Sequence, residues 1–116
     1  MSNADTLRQD HERAMTAHDA VIATFDLVGW INGLGPDRVP EGYHFGIDEG
    51  QRYIKIWHTW NGTGKSVHAF VDKRNGDLLK AAGWKAPAKG ARGNVLTNLG
   101  DIFDRFDWSG HYLYLR

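Results

Sequence analysis

Three turn signals divide the middle of the chain into short alternating segments, and they restrict the fold more than any other feature. Glu49-Gly50, Asn61–Gly64 and Arg74-Asn75-Gly76 each contain residues that favour tight turns. Between these turns apolar and polar residues alternate, as they do in half-buried strands. The predicted strands span residues 43–47, 52–60, 66–72 and 77–82. The sequence therefore predicts an antiparallel four-stranded meander.

The turns also predict which residues pair across neighbouring strands. We expect Ile47 opposite Arg52, Trp60 opposite Lys65, and Lys73 opposite Asp77. All three registers direct one set of apolar side chains to the same face of the sheet. This predicted core face contains Tyr43, Phe45, Ile54, Ile56, Val67, Ala69, Val71, Leu79 and Ala81. The opposite side of the sheet is called the outer face below.

A helix is predicted over residues 6–28, before the meander. Thr6 and Gln9 have the spacing of a capping box, and Gly29 is a suitable helix end. Apolar residues and histidines recur at spacings of three and four, which is typical of one helix side. The predicted packing stripe is Leu7, His11, Ala14, His18, Val21, Phe25 and Val28, widened by Met15 and Ile22. Packing it on the core face gives one α+β domain over residues 1–116.

The sequence after the fourth strand is less regular. Pro87 suits the first position of a short helix that extends to Arg92. The apolar spacing over residues 99–106 predicts a C-terminal helical turn, and residues 112–115 alternate like a short terminal strand. The predicted fold is therefore an N-terminal helix packed on a four-stranded meander, followed by these two C-terminal elements.

Composition excludes several classes of protein. The chain has no cysteine, so it has neither a disulfide framework nor a cysteine zinc site. Its polar N-terminus and the lack of a long apolar run predict no signal peptide and no membrane partner, hence a cytosolic location. The six histidines lack ligand spacing, so no metal or other cofactor is expected. The formal net charge is zero, so a nucleic-acid partner requires a local basic patch.

The outer face is the best candidate site in the sequence. Aromatic side chains there can stack on bases while nearby cations contact phosphates, as in sheet-based single-strand binders. The candidate binding residues are Tyr53, Lys55, Trp57, His68, Phe70, Lys80, Trp84, Lys85, Lys89 and Arg92. Residues 80–92 include four cations and no acid. The competing interpretation is that Phe103 and Phe106 or a second subunit cover this face, because large exposed apolar patches are rare on monomers.

No sequence pattern identifies an enzyme. Gly64-Lys65-Ser66 is similar to the end of a phosphate-binding loop, but Thr59 replaces the required glycine and the segment joins two strands. Asp101, Asp104 and Asp107 are interpreted as a solvated acidic face. No catalytic residue is assigned. A nucleotide-sequestering protein or a small enzyme that uses the histidine and lysine of the outer face is the weaker alternative.

The block over residues 66–94 combines the strand SVHAFVDK, the turn NGD, the segment KAA-x-WKAPAK and a following ARGN. In this block, about a quarter of the chain, the sequence resembles a group of small tailed-phage proteins of unassigned function. The resemblance implies a phage or prophage origin and an accessory role in the host cytosol during infection. It supplies no catalytic residues.

Two binding functions follow as expectations. The first is nucleic-acid binding through the aromatic and basic outer face. The alternative is a protein-interaction module, either a host-factor inhibitor or a homo-oligomer, that uses the same aromatic residues as interface anchors.

Overall fold

One long helix precedes five antiparallel strands in the computed structural model, which describes residues 3–114 apart from the side chains of residues 3 and 5. The main elements are α1 (Asn3–Asn32), β1 (Tyr43–Glu49), β2 (Tyr53–Trp60), β3 (Thr63–Asp72), β4 (Asp77–Ala81), β5 (Pro87–Asn94) and α2 (Leu99–Arg105). Each strand pairs with the next one in the chain. The predicted α+β class, with a helix before an antiparallel meander, is confirmed.

The segment predicted as a short helix after the fourth strand is a fifth strand. β5 pairs antiparallel with β4, with Asn94 opposite Asp77 and Pro87 opposite Ala81. Pro87 is compatible with this position because β5 is an edge strand, where a missing N–H is tolerated. Gly90 has a φ of 95°, which a helix does not allow. The helix predicted from Pro87 to Arg92 is therefore wrong, and the predicted sheet was one strand short.

The predicted C-terminal helical turn is confirmed as α2, but the predicted terminal strand is wrong in its described part. His111–Leu113 form a 3-10 turn, which begins after Gly110 in the left-handed region at φ 86°. Tyr114 is extended, and Leu115 lies outside the described residues. The glycine starts a tight turn where the alternating pattern alone suggested a strand.

The second predicted register, between β2 and β3, is partly correct. Ile54 lies opposite Val71 and Ile56 opposite Ala69, as predicted. Bulges further along β2 and β3 then change the pairing, so Trp60 lies opposite Thr63 and not opposite Lys65. The first predicted register, between β1 and β2, is wrong by four residues, since Ile47 faces Ile56 and not Arg52. A shift by an even number of residues keeps each side chain on its face, so the predicted faces of β1 and β2 are correct.

The third predicted register is wrong by one residue, which exchanges the faces of β4. Val71 lies opposite Leu78, not opposite Leu79. The backbone oxygen of Asp72 accepts hydrogen bonds from the N–H groups of Asn75 (3.4 Å) and Gly76 (2.7 Å), which closes a loop one residue longer than predicted. Leu78 is therefore fully buried in the core, and Leu79 lies on the outer face.

The helix packs on the sheet through a different stripe from the predicted one. Its buried residues are Ala20, Thr24, Leu27, Val28 and Ile31. The predicted stripe is mostly exposed: Leu7 is 68% exposed and Phe25 59%. Small Ala and Thr side chains allow the helix to approach the sheet closely, and the Thr24 hydroxyl donates to the Ala20 carbonyl at 2.7 Å. The helix also continues beyond Gly29.

The C-terminal segment, residues 95–114, shares the core face with α1. Phe103 stacks on Trp30 with a centroid distance of 4.5 Å, and Phe106 meets Phe45 edge-on at 6.2 Å. Val95, Ile102 and Leu113 join the same buried cluster. Phe103 and Phe106 therefore do not cover the outer face, and that competing interpretation is wrong for these two residues.

Asn32 joins the end of α1 to the edge strand β1. Its Oδ1 accepts a hydrogen bond from the Phe45 N–H (2.9 Å), and its Nδ2 donates to the Phe45 carbonyl (2.8 Å). The side chain thus satisfies both backbone groups of one residue of an otherwise open edge. The helix and the sheet are held together here by a bidentate amide contact as well as by apolar packing.

We expect Asn32→Ala to lower the free energy of unfolding by about 1–3 kcal/mol, because it leaves both backbone groups of Phe45 without this partner. Urea titration followed by circular dichroism measures the change. Asn98→Ala is the matched control, since the side chain of Asn98 makes no capping hydrogen bond at the start of α2. Equal destabilisation by the two variants would contradict the role assigned to Asn32.

Candidate functional site

Trp57 lies flat across β1 on the outer face. A Cβ atom at Gly46, the residue paired with Trp57, would overlap the indole ring, so glycine is required there. The indole Nε1 donates to Asp48 Oδ1 at 3.1 Å, and Lys65 Nζ lies 4.2 Å from the ring centroid. The ring is therefore fixed in orientation, and a cation lies over it.

Phe70 and Leu79 form a small apolar cluster on the outer face. They pair across β3 and β4, and they are only 2% and 8% exposed. Tyr53 meets Phe70 edge-on at a centroid distance of 6.2 Å. Phe70 is therefore buried and not available for stacking, which corrects its predicted role. Tyr53, which is half-buried, presents the accessible ring at this point.

The turn between β4 and β5 folds back toward this cluster. Trp84, in that turn, is 41% exposed, and Lys55 Nζ lies 3.7 Å from its ring centroid. Lys85 borders a groove of about 300 Å³ together with Tyr53 and Lys55. These contacts place the aromatic and basic residues of two separate sequence segments side by side, as predicted for Tyr53, Lys55, Trp84 and Lys85.

A second groove, of about 200 Å³, continues on the other side of Tyr53. It is bordered by Arg52, Tyr53, Leu79 and Lys89. Arg52 also borders the first groove, and its guanidinium carbon lies 4.9 Å from the Tyr53 ring centroid. Tyr53 and Arg52 thus connect two grooves that run past the buried cluster.

Four lysines of this face have no acidic partner in the part of the chain that the structure describes. Within residues 3–114 no carboxylate lies within ion-pair distance of Lys55, Lys65, Lys85 or Lys89. Other cations nearby are neutralised: Lys73 contacts Glu49 at 2.6 Å. The outer face therefore has a local positive charge although the net charge of the chain is zero.

Three predicted site residues lie elsewhere. The bulge in β3 moves His68 to the core face, where it is 6% exposed. The register of β4 puts Lys80 opposite Ala69, on the core side, with Nζ 4.6 Å from the Tyr114 ring centroid. Arg92 donates to the carbonyls of Leu113 (2.9 Å) and of two neighbours in β5, so it anchors the C-terminal segment.

His68 belongs to a buried polar pair that the sequence does not indicate. Its Nε2 lies 2.7 Å from the Tyr112 hydroxyl. Burial lowers the pKa of His68 to about 3, nearby His58 lowers it as well, and Asp107 opposes both. Burial raises the pKa of Tyr112. Both groups are therefore neutral at pH 7, which suits a structural hydrogen bond better than proton transfer. No local pattern reveals this pair, because its members are 44 residues apart.

A cavity of about 150 Å³ lies beside this pair, bordered by His58, His68, Lys80 and Ser109. The His58 Nδ1 atom is buried and has no hydrogen-bond partner among the described residues. Burial lowers the pKa of His58. Pockets that bind small molecules usually span about 300–1,000 Å³, so this cavity is small for a nucleotide.

The acidic residues near the C-terminus have partners of their own. Asp101 pairs with Arg105 at 2.8 Å, and Asp107 accepts hydrogen bonds from Ser109 and His111. No cluster of three potential metal ligands occurs in the part of the chain that is described. The phosphate-loop interpretation is correctly excluded, because Gly64-Lys65-Ser66 lies inside β3.

The fold is that of a small α+β domain built on an antiparallel meander. The chain belongs to a family of unknown function (DUF7717), whose model matches residues 3–115. No curated protein and no solved structure matches the chain. Among the helices of residues 3–114, none has the length and apolar character needed to cross a membrane.

We expect the free energy of unfolding to fall as the pH is lowered from 7 to 4.5. His68 stays neutral in the folded state down to a pKa of about 3, whereas the unfolded chain binds this proton near pH 6.5. Stability is therefore lost with a slope of up to about 1.4 kcal/mol per pH unit per such histidine.

The double variant His68→Leu with Tyr112→Phe removes both polar partners, so its stability should depend less on pH. Urea titrations at several pH values between 7 and 4.5 measure the slope. This range lies above the pH values at which the titration of carboxylates dominates the change in stability. A double variant that keeps the full slope would show that other groups cause the pH dependence.

Proposed function

We propose that this protein is a non-enzymatic module that binds single-stranded nucleic acid across its outer face. The observation that carries the proposal is a group of four lysines that lie beside accessible aromatic rings and have no acidic partner among the described residues. Lys55, Lys65, Lys85 and Lys89 supply the charge. Phosphate contacts provide the main affinity of such proteins, and stacking on aromatic rings is tolerant of base sequence.

The lysine–aromatic contacts support an exchange upon binding. Lys55 lies over Trp84, and Lys65 lies over Trp57. A phosphate attracts the ammonium group more strongly than an aromatic ring does, so the lysine can move to the phosphate. The ring face that it leaves is then free to stack on a base. Each pair thus offers one phosphate contact and one stacking position.

Spacing along β2 also supports the proposal. Tyr53, Lys55 and Trp57 alternate on the outer face, so the two aromatic residues are about 13 Å apart with the lysine between them. Two bases of one strand can therefore contact different rings while an intervening phosphate meets Lys55. The two grooves that meet at Tyr53 extend this path toward Lys85 and Lys89.

We predict that Lys85→Ala combined with Lys89→Ala weakens binding to an oligothymidine roughly 10-fold or more at low salt. The slope of log K against log salt should be about −3 for four phosphate contacts and should decrease in magnitude by about 0.7 for each lysine removed. Tryptophan fluorescence titrations at several salt concentrations measure both quantities.

Lys80→Gln is the matched control, because it removes a cation from the same sequence segment that lies on the core side. It should leave affinity and salt slope unchanged. Equal effects of Lys80→Gln and the double variant, or no saturable binding of DNA or RNA at low salt, would overturn the proposal.

The second candidate function is protein binding through the same aromatic residues. Exposed Trp84 and half-buried Trp57 and Tyr53 are of the types that anchor interfaces, and zero net charge favours a protein partner over a polyanion. If the function is protein binding, the resemblance to phage proteins points to a host-factor inhibitor. Retention of a host protein by the wild type but not by Trp84→Ala, without nucleic-acid binding, would favour it.

An origin in phage or prophage, with an accessory role during infection, is part of the same proposal and is supported by the block over residues 66–94. The weaker alternative, a nucleotide-sequestering protein or small enzyme, has less support. The histidine and lysine that it needs border a cavity of only about 150 Å³ on the core side.

A further inference from the structure

The helix α1 carries a second apolar stripe that faces away from the sheet. Its large side chains are 47–68% exposed: Leu7, Met15, Ile22 and Phe25. Together with His11, His18 and Gly29 they recur at spacings of three and four. The stripe is separated from the buried stripe at Ala20, Thr24, Leu27 and Ile31 by about half a turn of the helix. It is called the outward stripe below.

The first half of α1 has little support from the rest of the domain. A helix of 30 residues is about 45 Å long, but each residue described between 6 and 15 is exposed. The longest dimension of the molecule is 55 Å, against 28 and 26 Å for the others. Unsupported helical segments shorter than about 12–15 residues, such as the exposed first half of α1, are marginal in water, because most helical stability in proteins comes from packing of an apolar side.

We propose that the outward stripe is the interface of a parallel homodimer, in which two copies of α1 pack side by side. The spacing of the stripe, with Met15, His18, Ile22, Phe25 and Gly29 at alternate steps of three and four, is that of a coiled-coil seam. Such a stripe is complementary to itself. A two-fold axis along the helices places each residue opposite its own equivalent.

Charge selects the parallel arrangement over the antiparallel one. Glu12, Asp19 and Asp26 recur every seven residues and flank one side of the outward stripe. In an antiparallel pair these acidic flanks would face each other, and like charges at such positions are destabilising. In a parallel pair the acidic flank of each helix faces the opposite, non-acidic flank of the partner's outward stripe. That flank contains Ala14 and Val21. The carboxylates of Glu12, Asp19 and Asp26 are then kept apart from those of the partner.

The apolar area fits a weak dimer. From their exposures, the four large side chains present on the order of 400 Å² per chain, which is the size of the largest apolar patch on a typical monomer, a patch that is often functional. Two copies and their flanking atoms approach the roughly 1,000 Å² of a specific interface. His11 and His18 are polar residues in the seam, so we expect dissociation in the micromolar range.

Sedimentation equilibrium up to about 100 μM tests the dimer, which should dissociate at micromolar concentrations. Ile22→Glu should raise the dissociation constant at least tenfold without unfolding the domain, because Ile22 is already 47% exposed. Gln9→Glu is the matched control: it adds the same charge to the exposed first half of α1, on the side away from the outward stripe. A wild-type chain that stays monomeric would overturn the proposal, as would equal effects of both variants.

Single cysteine variants test the parallel arrangement, since the chain has no cysteine of its own. In a parallel dimer Met15→Cys and Phe25→Cys each meet their own equivalent, and both should form a disulfide-linked dimer on mild oxidation. These positions are about 15 Å apart along the helix, so no antiparallel register brings both to the two-fold axis. Gln9→Cys should not cross-link. A dimer that cross-links at only one of the two positions, or at neither, would overturn the proposal.

Discussion

Asp72 holds the turn on which the arrangement of the whole sheet depends. Its backbone oxygen accepts two N–H groups of the loop, and its buried carboxylate accepts the Arg74 N–H and contacts Arg52 and Arg74. The desolvation of this carboxylate is offset by two guanidinium groups and a backbone donor. The closed loop fixes the register of β4. Because β5 pairs with β4, the place of β5 in the sheet depends on the same loop.

The features that the sequence predicted correctly depend on residues that are close to each other in the chain. The positions of the turns, the alternation of β2 and β3 and the helix α2 follow from local patterns. β5 was not predicted, because its alanines and glycines show no alternation of apolar and polar residues. Pro87 is compatible both with the start of a helix and with an edge strand. The local sequence also did not determine which side of α1 packs on the sheet. Two stripes with spacings of three and four lie on opposite sides of the helix, and only contact with the sheet distinguishes Leu27 from Phe25.

The candidate site was partly predictable for the same reason. Tyr53, Lys55 and Trp57 alternate within one regular strand, so their common face follows from the sequence. A bulge in β3 puts His68 on the core face, and the one-residue change of register puts Lys80 there. Both residues therefore lie on the side of the sheet opposite to the predicted one. Phe70 faces as predicted but is buried, and Arg92 is occupied by carbonyls of β5 and of the C-terminal segment. Burial and long-range hydrogen bonds are properties of the assembled fold, which local patterns do not contain.

The two borders of the sheet have a consequence for how the molecule behaves at high concentration. On β1, the amide of Asn32 occupies the backbone groups of Phe45. On β5, Pro87 lacks a donor, Gly90 has a left-handed backbone, and the register with β4 shifts twice. Neither border offers a long regular row of free hydrogen-bonding groups as a template for a further strand. Fibrous growth by strand addition is therefore disfavoured, and contacts between copies depend on side chains.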